Sequence, residues 1–224
     1  MLIDLLMKVV LYAVPLLLGV ICHEVAHGWV AEKRGDPTAR ALGRISLNPL
    51  VHIDIVGTVV LPLLLLVTDA PFLFGWAKPV PVNFDNLRGG RRDMALVAIS
   101  GPVTNFLLAA ASAVLYHLLL FLVQSGAISS GGLADAIVQP VLIMARLSVS
   151  FNLVLMAINL MPIPPLDGGR VAMGLLPIRA AAMIERLEPF GMLIVLVLIG
   201  TRLWGYILGP VIDVFLRLFL TKWF

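Results

Sequence analysis

Cysteine is almost missing from the 224 residues. Cys22 stands alone, so an internal disulfide is impossible and a cysteine-built zinc site is excluded. Although it adjoins His23, Cys22 reads as a small apolar filler. Charge is scarce as well: only 13% of residues are Asp, Glu, Lys or Arg and 60% are hydrophobic, where soluble domains carry about a quarter charged. A soluble globular protein is thereby excluded. The net charge of +3 is small and its basic residues are dispersed, so no nucleic-acid partner is expected. No internal repeat, low-complexity tract or long polar linker divides the chain, and residues 1–224 are expected to form a single integral membrane domain.

What is abundant is apolar sequence, in runs at 5–21, 53–67, 94–123, 138–161 and 190–220. The first lacks a small-residue cleavage site and continues into His23, Glu24 and His27, so it reads as a retained span and not as a signal peptide. With about 20 residues needed per crossing, the runs predict an all-α polytopic membrane protein of about five to six membrane segments. Short cytoplasmic loops are enriched in Lys and Arg. That places Lys33, Arg34, Arg40 and Arg44, then Lys78, Arg88, Arg91 and Arg92, and finally Arg170, Arg179 and Arg186 on the inner face, and the Lys- and Arg-free stretch 124–139 outside. The loops on both sides of 53–67 are basic, although a single crossing would put them on opposite faces. Either this run crosses nonetheless, or it is re-entrant and APFLFGWAKPVPVNF (70–84) returns as an extended, β-like loop, its prolines disfavouring helix.

Against this background, HEVAHGWVAEKRG (23–35) is chemically out of place, because charged groups within a span are expensive unless partnered and are functional candidates. In a helix His23 and His27 share a face, four residues apart, and can turn ring nitrogens toward one metal ion. Glu24, about 100° round the axis from His23, can reach a water on that ion without being a ligand. This is the H-E-x-x-H division of labour: two imidazoles hold zinc and a glutamate is the general base.

Catalytic zinc usually takes a third protein ligand. A histidine six residues beyond His27 is ruled out, since that position is Lys33. Asp167, in NLMPIPPLDGGR (159–170), is the leading candidate and His52, near Asp54, the runner-up. Pro162, Pro164 and Pro165 end the fourth run, and Gly168 and Gly169 allow a sharp bend or close backbone approach, so Asp167 is expected on an unwound segment at the depth of the histidines.

HEVAH in the first span combined with NLMPIPPLDGG at the end of a later one resembles the site-2 protease family of intramembrane zinc metalloproteases, in its compact branch without PDZ or CBS domains. GRISLNPLVHIDIVGTVVLP (43–62), GWAKPVPVN (75–83) and SGPVTN (100–105) extend the resemblance over most of the chain. It implies one Zn2+ per chain held by His23, His27 and Asp167, with Glu24 as catalytic base, Asn105 and Asn159 near the site or substrate, and regulated cleavage of transmembrane protein substrates within the lipid bilayer. With the basic loops inside, a multi-pass protein of the cell membrane with its active site nearer the cytoplasmic side is expected. For Asn105 and Asn159 an interhelical hydrogen bond is the competing role. A zinc-binding membrane scaffold or metal carrier would keep the ligands but has no use for Glu24. A metalloprotease cutting extramembrane loops fits poorly with the depth of the motif.

Overall fold

The computed structural model describes residues 2–68, 75–128, 131, 133–201 and 203–221. All regular elements among them are helical: α1 (Leu2–Arg34), α2 (Thr38–Ala41), α3 (Leu61–Val67), α4 (Arg91–Gln124), α5 (Leu133–Asn159), α6 (Asp167–Leu175), α7 (Ile178–Glu185), α8 (Gly191–Gly200) and α9 (Leu203–Leu220). Short 3-10 turns occupy Pro49–His52, Phe84–Asn86 and Glu188–Phe190, and a π-helical turn, Ile55–Val60, leads into α3.

Four of the described helices are long and apolar enough to cross a membrane: Met7–Arg34 of α1, all of α4, Ala136–Asn159 of α5, and α9. The last apolar run breaks into α8 and α9, and α3 and α8, of 7 and 10 residues, are each too short to cross alone. Exposed Val9, Leu17, Leu107, Leu118, Ile207 and Leu218 coat the outside of the long helices, as a lipid-facing surface requires.

The core is built on small residues of α4. Ala109 and Ala113 are fully buried against Val149, Leu153 and Met156 of α5 and Phe219 of α9, and short side chains allow the close helix approach on which packing in lipid depends. Near the other end of α9, Leu208 packs with Ala157 and Met161, while His117 on α4 bonds the Phe219 carbonyl. The ends are thereby sorted: α1 and α5 finish on the side where α4 and α9 begin.

Helix lengths create a gap on that side, because α4 has 34 residues and α5 only 27. After Asn159 the prolines unwind the chain, and α6 fills the gap by climbing back along α4. The Arg91 guanidinium donates to the Met173 and Leu176 carbonyls, and Gly174 lies so close to Ala95 that a Cβ there would sit 2.6 Å from the Ala95 Cβ.

Between α1 and α4, the limb 52–58 and the limb 76–78 run side by side. The Lys78 and Trp76 N–H groups donate to the carbonyls of His52 (2.8 Å) and Gly57 (3.1 Å), and the Thr58 hydroxyl donates to the Trp76 carbonyl (2.9 Å). Residues 75–83 carry no regular secondary structure. The tip of the expected hairpin, 69–74, lies outside the described residues.

Candidate metal centre

Helix α1 carries His23, Glu24 and His27. From His23 it continues to the basic end at Arg34, a rise of about 16 Å at about 1.5 Å per residue. That is about half of a hydrocarbon core about 30 Å thick. The two imidazoles stand edge-on with centroids 4.7 Å apart, and their Nε2 atoms face each other at 3.0 Å. Asp167 completes the group: Oδ2 lies 3.0 Å from His23 Nε2 and Oδ1 3.3 Å from His27 Nε2. Asp167 is the first residue of α6, not part of the unwound segment itself. The reason is Gly168, where a Cβ would fall 2.3 Å from the Leu160 and Met161 carbonyl oxygens, so only glycine lets the new helix start against the end of α5.

The remaining ring nitrogens fix which way the electron pairs point. His27 Nδ1 donates to the Val97 carbonyl at 2.8 Å. His23 Nδ1 faces Asn105 Oδ1 at 2.5 Å, and the orientation of that amide is set in turn, because Asn105 Nδ2 donates to the Gly19 carbonyl (3.2 Å) and to Asn152 Oδ1 (2.8 Å). Asn152 Nδ2 donates to the Ser148 carbonyl at 2.9 Å. A backbone carbonyl can only accept, so each amide is locked and both Nδ1 atoms carry protons. In the neutral form of each ring, Nε2 presents a lone pair to the other ring and to a carboxylate.

Three acceptors converging in a buried place repel one another unless a cation lies among them. Asp167 Oδ2 is buried and accepts no hydrogen bond. Gly101 of α4 holds the space open, since a Cβ there would lie 2.6 Å from ring atoms of both histidines. Two imidazole nitrogens and a carboxylate are a donor set used by catalytic zinc, and these three residues could hold a metal ion. Glu24 stays outside this set, its Oε2 accepting the Val80 N–H at 2.7 Å.

A profile of peptidase family M50 matches residues 11–200. The chain belongs to peptidase family M50. The site-2 protease resemblance read from the motifs is thus shown, and this M50 peptidase is a membrane-embedded zinc metalloprotease. It is similar to YwhC of Bacillus subtilis (strain 168), a protein whose name provisionally assigns it as a zinc metalloprotease, with 37% identity over 200 residues, covering 89% of the M50 chain and 84% of YwhC. No solved structure matches.

The structure of this M50 member brings His23, His27, Asp167 and Asn105 together and sets Glu24 beside them. Asn105 is fully buried and touches the group only through His23. Asn159 donates to the Leu155 carbonyl of its own helix at 3.0 Å and bonds to none of these residues. His52 is buried elsewhere, with Nε2 donating to the Ser46 carbonyl at 2.8 Å. Gly101 and the backbone groups of Val97 and Val80 are parts of the site that sequence reasoning misses. For Asn152 a signal existed, a polar residue inside an apolar run, but nothing in the sequence pairs it with Asn105.

Proposed function

We propose that the protein hydrolyses peptide bonds within transmembrane segments of substrate proteins, with one Zn2+ per chain held by His23, His27 and Asp167 and with Glu24 as general base. The observation that carries this reading is the convergence of two oriented imidazole lone pairs and an unbonded carboxylate oxygen about half a membrane core from the basic end of α1. Zinc, when bound, polarises a carbonyl and lowers the pKa of water to about 7. Glu24 takes the proton of the attacking water and returns it to the leaving amine. Asn105 and Val97 hold the histidine rings in the ligating tautomer, a role outer hydrogen bonds commonly serve. Asn159, at the unwound end of α5, is assigned to substrate. Because a helix satisfies its own carbonyls, a substrate span must unwind before it is cut.

The wider arrangement follows. The whole chain is one membrane domain in the cell membrane, α3 and α8 are partial segments beside four spans, and the run 53–67 enters the membrane without crossing it. The basic ends of α1 and α4 face the cytoplasm, which puts the active site nearer that side. Regulated release of membrane-tethered proteins is the corresponding biological role.

The test is cleavage of a single-span substrate in liposomes by wild type and Glu24→Gln, with zinc measured in both. The expected result is equal zinc, cutting within the span by wild type, and loss of at least about 100-fold in rate for the variant, in line with the usual worth of acid–base catalysis. Equal cutting by both would remove Glu24 from the mechanism, and zinc without cutting in either would favour the scaffold.

A further inference from the structure

We propose that Arg44 is a positioning residue for the Glu24 carboxylate, acting through the peptide unit that joins Pro79 to Val80. The inference rests on the protease reading above, since it concerns the same base.

In the sequence Pro79-Val80-Pro81 only Val80 has an N–H, and that N–H donates to Glu24 Oε2 at 2.7 Å. The carbonyl of the same peptide unit is that of Pro79, which accepts from Arg44 Nη2 at 3.2 Å, while the Lys78 carbonyl accepts from the same nitrogen at 2.8 Å. A trans peptide is planar and its C=O and N–H point in opposite directions. One rigid plate therefore lies between a guanidinium and a carboxylate, its dipole aligned with both charges.

Arg44 is buried, at 9% exposure, its Nε makes no hydrogen bond, and among the described residues it has no carboxylate partner. A buried guanidinium without a counter-charge is costly, and here compensation runs through the plate to Glu24. The plate is also held sideways. Lys78 N–H donates to the His52 carbonyl at 2.8 Å, and Val80 packs against α1 at Gly28, one turn beyond Glu24, where a Cβ would meet Val80 Cγ1 at 2.9 Å and Ile45 Cγ1 at 3.2 Å. With Oε2 fixed, Oε1 accepts no hydrogen bond from any described group and is left for the transferred proton.

The test is steady-state cleavage of a single-span substrate in liposomes by wild type, Arg44→Met, Arg44→Lys, Val80→Pro and the Arg44→Met/Val80→Pro double variant, with zinc content and thermal midpoint alongside. Arg44→Met and Val80→Pro should each lower kcat by about 10- to 100-fold, the scale of a misplaced catalytic group, with KM within about twofold and full zinc. Arg44→Lys should recover part of the loss. The double variant should be no worse than the worse single one, because both changes break one link. Should Val80→Pro fail to fold, Gly28→Ala, which displaces the plate, replaces it in the cycle. Unchanged kcat in Arg44→Met, losses that multiply, a rise confined to KM, or joint loss of zinc and thermal stability in both Arg44 variants would each overturn the proposal. A wild type that cuts no better than Glu24→Gln would instead remove the protease reading beneath it.

Discussion

The four residues with chemistry of their own, His23, Glu24, His27 and Asp167, are legible in the sequence because their type and spacing carry the meaning. What orients them is not. Val97 and Val80 contribute only backbone atoms, which any residue has, and Asn105 and Asn152 meet across helices with no local period to announce it. Gly101 shows the difference most clearly, since in the sequence it is one glycine of SGPVTN and in the structure it is the absent methyl between two imidazoles. Gly101→Ala should raise helix stability by up to about 1 kcal/mol on propensity alone while displacing the rings. We expect zinc affinity to fall at least about tenfold, measured by chelator competition, with a thermal midpoint of the metal-free protein that does not drop.

At the scale of elements, apolar runs locate the long helices well and divide the short ones poorly. The run 190–220 is long for one crossing and short for two, with Arg202, Gly205 and Pro210 inside it, and composition alone does not say that it divides between Gly200 and Leu203. The described residues between α1 and α4 have another kind of order, organised round the buried carboxylate of Asp36. Asp36 is fully buried and accepts from Thr38 N–H and hydroxyl, Asn86 Nδ2 and Asn83 N–H, tying the exit of α1 to the end of segment 75–83. Burial pushes its carboxyl up, but the bonds from Thr38, Asn86 and Asn83 outweigh that and hold it below its ordinary value of 3.8. The folded form therefore binds this proton less readily than the unfolded chain, so Asp36 stabilises above about pH 4 and loses its contribution as pH falls through the lowered value. Asp36→Asn should cost about 1–3 kcal/mol near neutrality, and the gap from wild type should narrow below pH 4 in thermal denaturation followed against pH.

At the scale of the whole molecule, charge and packing agree. Arg34, Arg88, Asp93 and Arg91 meet at one end, where Arg88 N–H donates to the Arg34 carbonyl at 3.0 Å and Arg34 pairs with Asp93 at 3.6 Å. The turn after α4 holds no Lys or Arg. In a Cys22→Ala background, Ser125→Cys should react with an impermeant maleimide from outside intact cells, and Glu185→Cys only after permeabilisation. The reverse pattern would invert the orientation proposed above.

Because α6 begins against α5 and is clamped to α4, the distance from the basic helix ends to Asp167 and the histidines is set by protein packing and not by the surrounding lipid. The molecule thus carries its own ruler. A substrate helix slides or tilts with hydrophobic mismatch, whereas the blade does not, so a membrane thicker by a few ångströms would shift the cut along the substrate by about one residue for each 1.5 Å of displacement. Which bond is broken would then depend on bilayer thickness as well as on sequence.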